Sequence, residues 1–165
     1  PPPPPPHPFF FLMIRRPQRS TLDSSSAESD VYKRQGLNLN KNKPWVVAID
    51  MPRFDGDRSI YSTLELKNTS LASSGTYRKF KIDSMGNRYA HIINPLSGYP
   101  SKTNILSVTV KAPSCIDADA YATALHTMTI REIKDFFNNN SHISSLVIFE
   151  NENNELEELE LNSFY

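Results

Sequence analysis

The chain carries one cysteine, Cys115, which excludes an internal disulfide and any cluster of thiolates around a metal. It has no excess of charge of either sign, since 18 Lys and Arg balance 18 Asp and Glu for a formal net charge of +0. Without a global field there is no electrostatic pull toward nucleic acid or an acidic membrane, and neither is an expected partner on that ground. No run approaches the roughly 18 apolar residues that span a bilayer as a helix. There is no internal repeat. What is present is 38% hydrophobic and 22% charged residues over 165 positions, enough for one domain with a real core.

Residues 1–35 read differently from the rest. Pro1 to Pro6 form a proline tract, which excludes helix and central strand. An apolar run from Phe9 to Ile14 precedes Arg15 and Arg16, the reverse of the order in a signal peptide, and no small-residue cleavage site follows. The stretch 9–35 resembles translated sequencing-adaptor read-through. Residues 1–35 are therefore expected to be a disordered, non-native segment outside the fold, with the native gene beginning well upstream. Residues 36–165 form the domain.

Within that domain the pattern is strands, then two helices, then strands. Residues 44–50 are β-rich and open on Pro44, and residues 59–66 alternate and should pair with them antiparallel. Residues 69–74 form a short extended piece that Gly75 breaks. Residues 78–82 and 87–93 flank Asp83-Ser84-Met85-Gly86, a hairpin signature in which Gly86 takes positive φ. Residues 94–100 hold two prolines and a glycine and form a loop. Residues 104–111 are β-branched at alternating positions and give the strongest strand. A helix over 116–128 has Asp117 as its N-cap and packs through Ala120, Ala124 and Leu125. Thr129 caps a second helix over 130–137, ended by three asparagines. Residues 145–150 and 155–161 form a terminal hairpin. The result is an α+β domain on a largely antiparallel sheet.

Three residues stand where chemistry could be placed. Asp119 and Thr123 are four apart, so a helix puts them on one face about a turn from each other. A carboxylate and a hydroxyl so stacked offer two hard oxygen ligands of the kind Mg²⁺ takes, while Asp119 as a dipole-favoured first-turn acid is the plain alternative. His91 ends a strand just before a proline-rich loop, where it could act as a general base, stack on a ligand or serve only the structure. His126 and His142 have no partners at recognisable spacing and read as surface or core residues. Cys115 reads as a packing residue, and the acidic run 150–160 as a solvated face.

Three linked motifs resemble the FAD:protein FMN transferase family, the ApbE-like flavin transferases. Ser73-Ser74-Gly75-Thr76-Tyr77-Arg78 is similar to T-S-G-[DN]-Y-x. Tyr89-Ala90-His91-Ile92-Ile93-Asn94-Pro95-Leu96-Ser97-Gly98-Tyr99-Pro100 is similar to Y-x-H-I-I-D-P-x-T-G-Y-P. Ser107-Val108-Thr109-Val110 followed by Asp119-Ala120-Tyr121-Ala122-Thr123-Ala124-Leu125 resembles S-V-T-V followed by A-D-A-x-[AS]-T-A-L. Trp45 and its strand resemble W-x-[VI]-x-I. The likeness covers residues 36–165, the C-terminal half of the family's catalytic domain. Asn94 stands where the family usually has Asp, and Thr76 where it has Asp or Asn. The glycine-rich A-K-G-x-x-x-D segment has no counterpart here.

The resemblance implies a T-fold-like domain, FAD as substrate and Mg²⁺ on its diphosphate, with FMN moved to a Ser or Thr hydroxyl of an acceptor protein and AMP released. It implies Asp119 and Thr123 as metal ligands and His91 as either the base for the acceptor hydroxyl or a flavin contact. Ile93 would line the FAD pocket. The implied acceptor is a flavoprotein, typically a subunit of a redox complex, and the implied location is the periplasm or a lipoprotein anchor. With the upstream segment missing, the chain alone is expected to be inactive. The other readings are an FAD-binding or FAD-hydrolysing protein without an acceptor, and a non-catalytic α+β module.

Overall fold

The computed structural model describes residues 30–32, 43–55, 59–77, 80–82, 84–85, 88–94, 97–101 and 103–165. Its centre is a five-stranded antiparallel sheet of β1 (Asp30–Tyr32), β4 (Ser70–Gly75), β7 (Ile105–Ala112), β8 (Ser144–Glu150) and β9 (Leu156–Leu161), in that order. Two separate hairpins accompany it, β2 (Trp45–Asp50) with β3 (Ile60–Leu66) and β5 (Phe80–Ile82) with β6 (Arg88–Ala90). The helices α1 (Cys115–Leu125) and α2 (Ile130–Phe137) form the connection between the neighbouring strands β7 and β8. The α+β reading holds.

Side chains alternate across each strand, so the sheet has two apolar faces and each needs a cover. One face sends Ala72, Val108, Val110 and Val147 against Ala118, Ala122 and Leu125 of α1 and Ile133 and Phe137 of α2. The other sends Leu71, Leu146 and Ile148 against Val47, Ile49, Leu64 and Leu66 of the β2–β3 hairpin, with Phe164 completing the cluster. Three layers result: hairpin, sheet and helices. The middle of the hairpin-facing side is polar, with Ser73 and Thr109 sharing a hydroxyl hydrogen bond of 2.7 Å across paired positions. Tyr61 of β3 donates to the Glu158 carboxylate of β9, which ties the hairpin to the far edge of the sheet.

Four expectations need correction. Asp30–Tyr32 does not stand outside the fold, because it pairs antiparallel with Leu71–Ser73 of β4. Strand pairing is made by backbone groups, so the edge of β4 can take an extended segment with little regard to its side chains. Residues 91–93 do not continue β6; Ile93 forms a lone bridge with Pro100. The N-cap of α1 is Ser114, not Asp117. The Ser114 hydroxyl accepts from the Asp117 N–H at 3.1 Å and donates to its carboxylate at 2.6 Å, so Asp117 is the acid three residues into the helix.

The fourth correction is the buried face of α1. Ala120 and Ala124 are exposed, and Ala118, Ala122 and Leu125 face the sheet. Alanines at 118, 120, 122 and 124 make both faces equally apolar, and the side chains of Leu125 and Ile116 alone cannot choose between them. The expected positive φ at Gly86 lies outside the described residues. The α2 boundaries and its Thr129 cap agree with expectation, including a reciprocal capping box with Glu132. Ser114→Ala should remove the α1 cap and lower stability by about 1 kcal/mol, read from urea denaturation.

Candidate functional site

The candidate residues follow β6 and lie on α1, which packs against β4 and β7. On β7 a bulge between Ile105 and Ser107 leaves Leu106 out of the ladder with β8. Bulges turn a backbone group out of its regular direction. Here the Leu106 carbonyl accepts from the Thr76 N–H at 3.1 Å, just past the end of β4. The turn is tight enough to require glycine at 75. A Cβ there would come 2.5 Å from Tyr77 Cε1 and 3.2 Å from the Leu106 oxygen. Gly75→Ala should therefore push the Tyr77 ring off the turn and cost about 1–3 kcal/mol, the range for overpacking. Altered Tyr77 ring resonances with a lower melting temperature would show it, and unchanged ring resonances would refute it.

His91 and Ile93 follow β6. Both are exposed, while Ile92 between them is buried, so the alternation of an extended chain turns His91 and Ile93 to the same outer side. The backbone is held there by the Ser101 N–H donating to the Ile92 carbonyl at 2.9 Å and by the Ile93–Pro100 bridge. The loop beyond is closed by the Asn94 N–H to the Tyr99 carbonyl and the Gly98 N–H to the Asn94 carbonyl, both at 2.9 Å. Gly98 has φ 71, the left-handed region that favours glycine. The Asn94 side-chain oxygen accepts from the Ser97 N–H at 3.4 Å. An aspartate oxygen would accept equally well, so this departure from the motif leaves the loop its turn.

Asp119 and Thr123 lie on α1 next to its buried stripe, Asp119 half-buried and Thr123 exposed. At steps of four and then three residues, 119, 123 and 126 form one line along the helix, and His126 is its C-cap. His126 is fully buried, and neither ring nitrogen has a hydrogen-bond partner among the described residues. Burial pushes its pKa down from the ordinary 6.5 to about 4; its own backbone carbonyl and then the Leu106 carbonyl oppose this without reaching hydrogen-bond geometry, and the charge of His91 reinforces it.

Sequence spacing did not single out His126, although its place seven residues after Asp119 was the available signal. His142 lies elsewhere, exposed and edge-on to Tyr121 at 6.3 Å. Cys115 packs as expected of it, its thiol donating to Ser70 Oγ at 3.2 Å. Among the described residues no group of three or more His, Cys, Asp or Glu could enclose a metal ion. The donor set here is instead one carboxylate and one hydroxyl. Such a pair fits Mg²⁺, which keeps several waters and takes substrate phosphate oxygens rather than a full protein cage.

Residues 29–147 match the model of the ApbE family. The chain belongs to the ApbE family. It is 38% identical over 96 residues to the FAD:protein FMN transferase of Haemophilus influenzae, covering 58% of this chain and 27% of that protein. The FAD:protein FMN transferase of Vibrio cholerae is 40% identical over 94 residues, covering 57% of this chain and 27% of that protein. Among solved structures, the flavin transferase ApbE from Vibrio cholerae superposes with a TM-score of 0.63 at 35% identity, over 78% of this chain and 39% of that one. The ApbE protein of Thermotoga maritima does so with a TM-score of 0.60 at 29% identity, over 74% and 38%. This ApbE-family chain spans about a quarter of the length of the curated relatives it matches.

Proposed function

We propose that the chain forms part of a site that transfers FMN from FAD to a Ser or Thr hydroxyl of an acceptor flavoprotein, releasing AMP. The observation that carries this reading is the placement of Asp119 and Thr123 on one side of α1, with His91 and Ile93 both exposed just after β6. The relatives named FAD:protein FMN transferase support it.

In this reading Asp119 and Thr123 hold Mg²⁺, which supplies positive charge to the FAD diphosphate and to the charge that grows there. His91, exposed at the mouth, takes the proton of the acceptor hydroxyl as its oxygen bonds to the FMN phosphorus. The bond from that phosphorus to the AMP oxygen breaks. Ile93, with 51% of its surface exposed beside His91, supplies an apolar wall for the ligand. The acceptor is a subunit of a redox complex, and the protein works in the periplasm or on a lipid anchor. Among the described residues no helix is long and apolar enough to cross a membrane.

The test is a chimera in which residues 36–165 replace the matching region of the Vibrio cholerae flavin transferase. It is incubated with FAD, Mg²⁺ and an acceptor peptide, and the acceptor is weighed. An acceptor heavier by one FMN supports the reading. FAD cleavage with an unmodified acceptor would favour hydrolysis, and no Mg²⁺-dependent change in FAD from a folded chimera would leave only the non-catalytic module.

A further inference from the structure

At the end of the sheet where β4 and β8 begin and β7 and β9 finish, the segments 68–69, 111–113, 141–144 and 162–163 enclose a cavity of about 230 Å³. None of His91, Ile93, Asp119 and Thr123 lines it. We propose that this cavity binds a phosphate group, as the free ion or as the end of a small phosphomonoester, through Lys111, Ser144 and His142. Such a site would exist whether or not the chain takes part in flavin transfer.

The polar part of the lining offers donors and no carboxylate. Lys111 and His142 stand there with serine hydroxyls and asparagine amides, and no Asp or Glu lines the cavity, in a chain whose acids and bases are equal in number. Lys111 and Ser144 are direct partners across β7 and β8, so both side chains leave the same face of the sheet. The Lys111 ammonium lies 5.5 Å from the centre of the Phe164 ring and donates to the Ser163 and Phe164 carbonyls, which leaves it one N–H to give. Ser144 separates a site from a mere gap. It is 5% exposed, lines the cavity, and its hydroxyl makes no hydrogen bond among the described residues. A buried hydroxyl without a partner is costly, and alanine would fill the position without that cost. At the rim the Asn68 amide, the Ser141 hydroxyl and the His142 ring likewise have no hydrogen-bond partner among the described residues.

The walls are already set. The Asn162 side-chain amide donates to the Asn140 and Ile143 carbonyls, both at 2.9 Å, and the Thr69 hydroxyl donates to the Ala112 carbonyl at 2.9 Å. Asn68, Asn162 and Ser163 take φ of 54, 55 and 51, three of the four positive values among the described non-glycine residues. Left-handed backbone of this kind persists only where its surroundings over-determine it, and it gathers at ligand sites. The volume restricts the ligand, being below the roughly 300–1,000 Å³ of pockets for drug-sized molecules. The donors select its class. Lys111 is a point charge suited to phosphate, and no arginine fork, the usual partner of a planar carboxylate, lines the cavity. Donors from separate segments match the several oxygens of a tetrahedral anion better than the two of a planar one. Glu160 is the acid whose charge reaches Lys111; its carboxylate accepts from the Phe164 N–H at 2.8 Å and does not line the cavity.

The experiment is a titration of the ¹⁵N-labelled 165-residue chain with sodium phosphate at pH 7, read from amide shifts, with sodium chloride of equal ionic strength as the blank. Saturable shifts at Asn68, Ser141, His142, Ser144 and Ser163, absent with chloride, are expected at millimolar phosphate. Ser144→Ala and His142→Ala should each raise the dissociation constant about fivefold, the worth of one hydrogen bond. Lys111→Met should raise it about tenfold or more, since a charge-assisted bond is lost. Lys111 also anchors the C-terminal turn, so the other two variants decide the matter if Lys111→Met does not fold. No saturable shift at these residues overturns the proposal, and so does unchanged affinity in folded Ser144→Ala and His142→Ala. Acetate binding as tightly as phosphate overturns the assignment to phosphate. A parallel titration with glycerol phosphate names the source: tighter binding of the ester makes a phosphomonoester the ligand, and tighter binding of the inorganic ion makes it phosphate itself.

Discussion

Asp119→Ala in the chimera is expected to lower Mg²⁺-dependent transfer of FMN by about 10²–10³-fold, the range for removing one group that stabilises developing charge. The reasoning is electrostatic. Asp119 is the one carboxylate on the line of α1 that also carries Thr123 and His126, so its loss removes the formal negative charge that would hold the cation there. Thr123→Val removes a neutral ligand and should cost less, about tenfold. Folding should be little changed by either, since Asp119 is half-buried, Thr123 is exposed, and the packing against the sheet is made by Ala118, Ala122 and Leu125. The Mg²⁺ dependence separates the two explanations of Asp119. If the residue serves only the helix dipole, Asp119→Ala would leave transfer and its Mg²⁺ dependence intact while lowering stability by about 0.3–1 kcal/mol.

Much of this fold could be read before the structure because strands and α2 carry strong local signals. Residues 104–111 alternate β-branched side chains and become β7, and Thr129 with Glu132 gives α2 an unambiguous start. The candidate residues His91, Ile93, Asp119 and Thr123 come from the motifs, and the structure places the first two just after β6 and the last two on α1. α1 was harder for two physical reasons. Alternating alanines give it no preferred apolar side, so its orientation is set by the sheet and not by its own pattern. Its start carries both Ser114 and Asp117, and either residue type caps helices; only the hydrogen bond from the Asp117 N–H decides between them. The bulge at Leu106 and the pairing of Asp30–Tyr32 are properties of strand partners far apart in sequence. No local window contains them. His126 was passed over for the same reason, since its meaning comes from its burial by the rest of the fold.

Acid should expose that meaning in the stability of the chain. In the fold the pKa of His126 is lowered to about 4 by burial, against an ordinary 6.5 when the chain is unfolded. Above pH 6.5 both states carry the neutral ring and this group contributes no slope. Between about 6.5 and 4 the unfolded chain binds a proton that the folded chain refuses, so stability falls as pH falls. Below about 4 both states are protonated and the loss from this residue levels off. A separation of this size corresponds to about 3 kcal/mol in all. Carboxylates titrate there too, and the comparison that isolates His126 is the chain against His126→Phe, each unfolded by urea at pH 7 and pH 4. The stability lost between the two pH values should be smaller in the variant by about that amount, because phenylalanine offers the unfolded state no proton site. Equal losses in the two proteins would mean that His126 opens to solvent and protonates within the folded chain, and the C-terminal end of α1 would then be loose in acid.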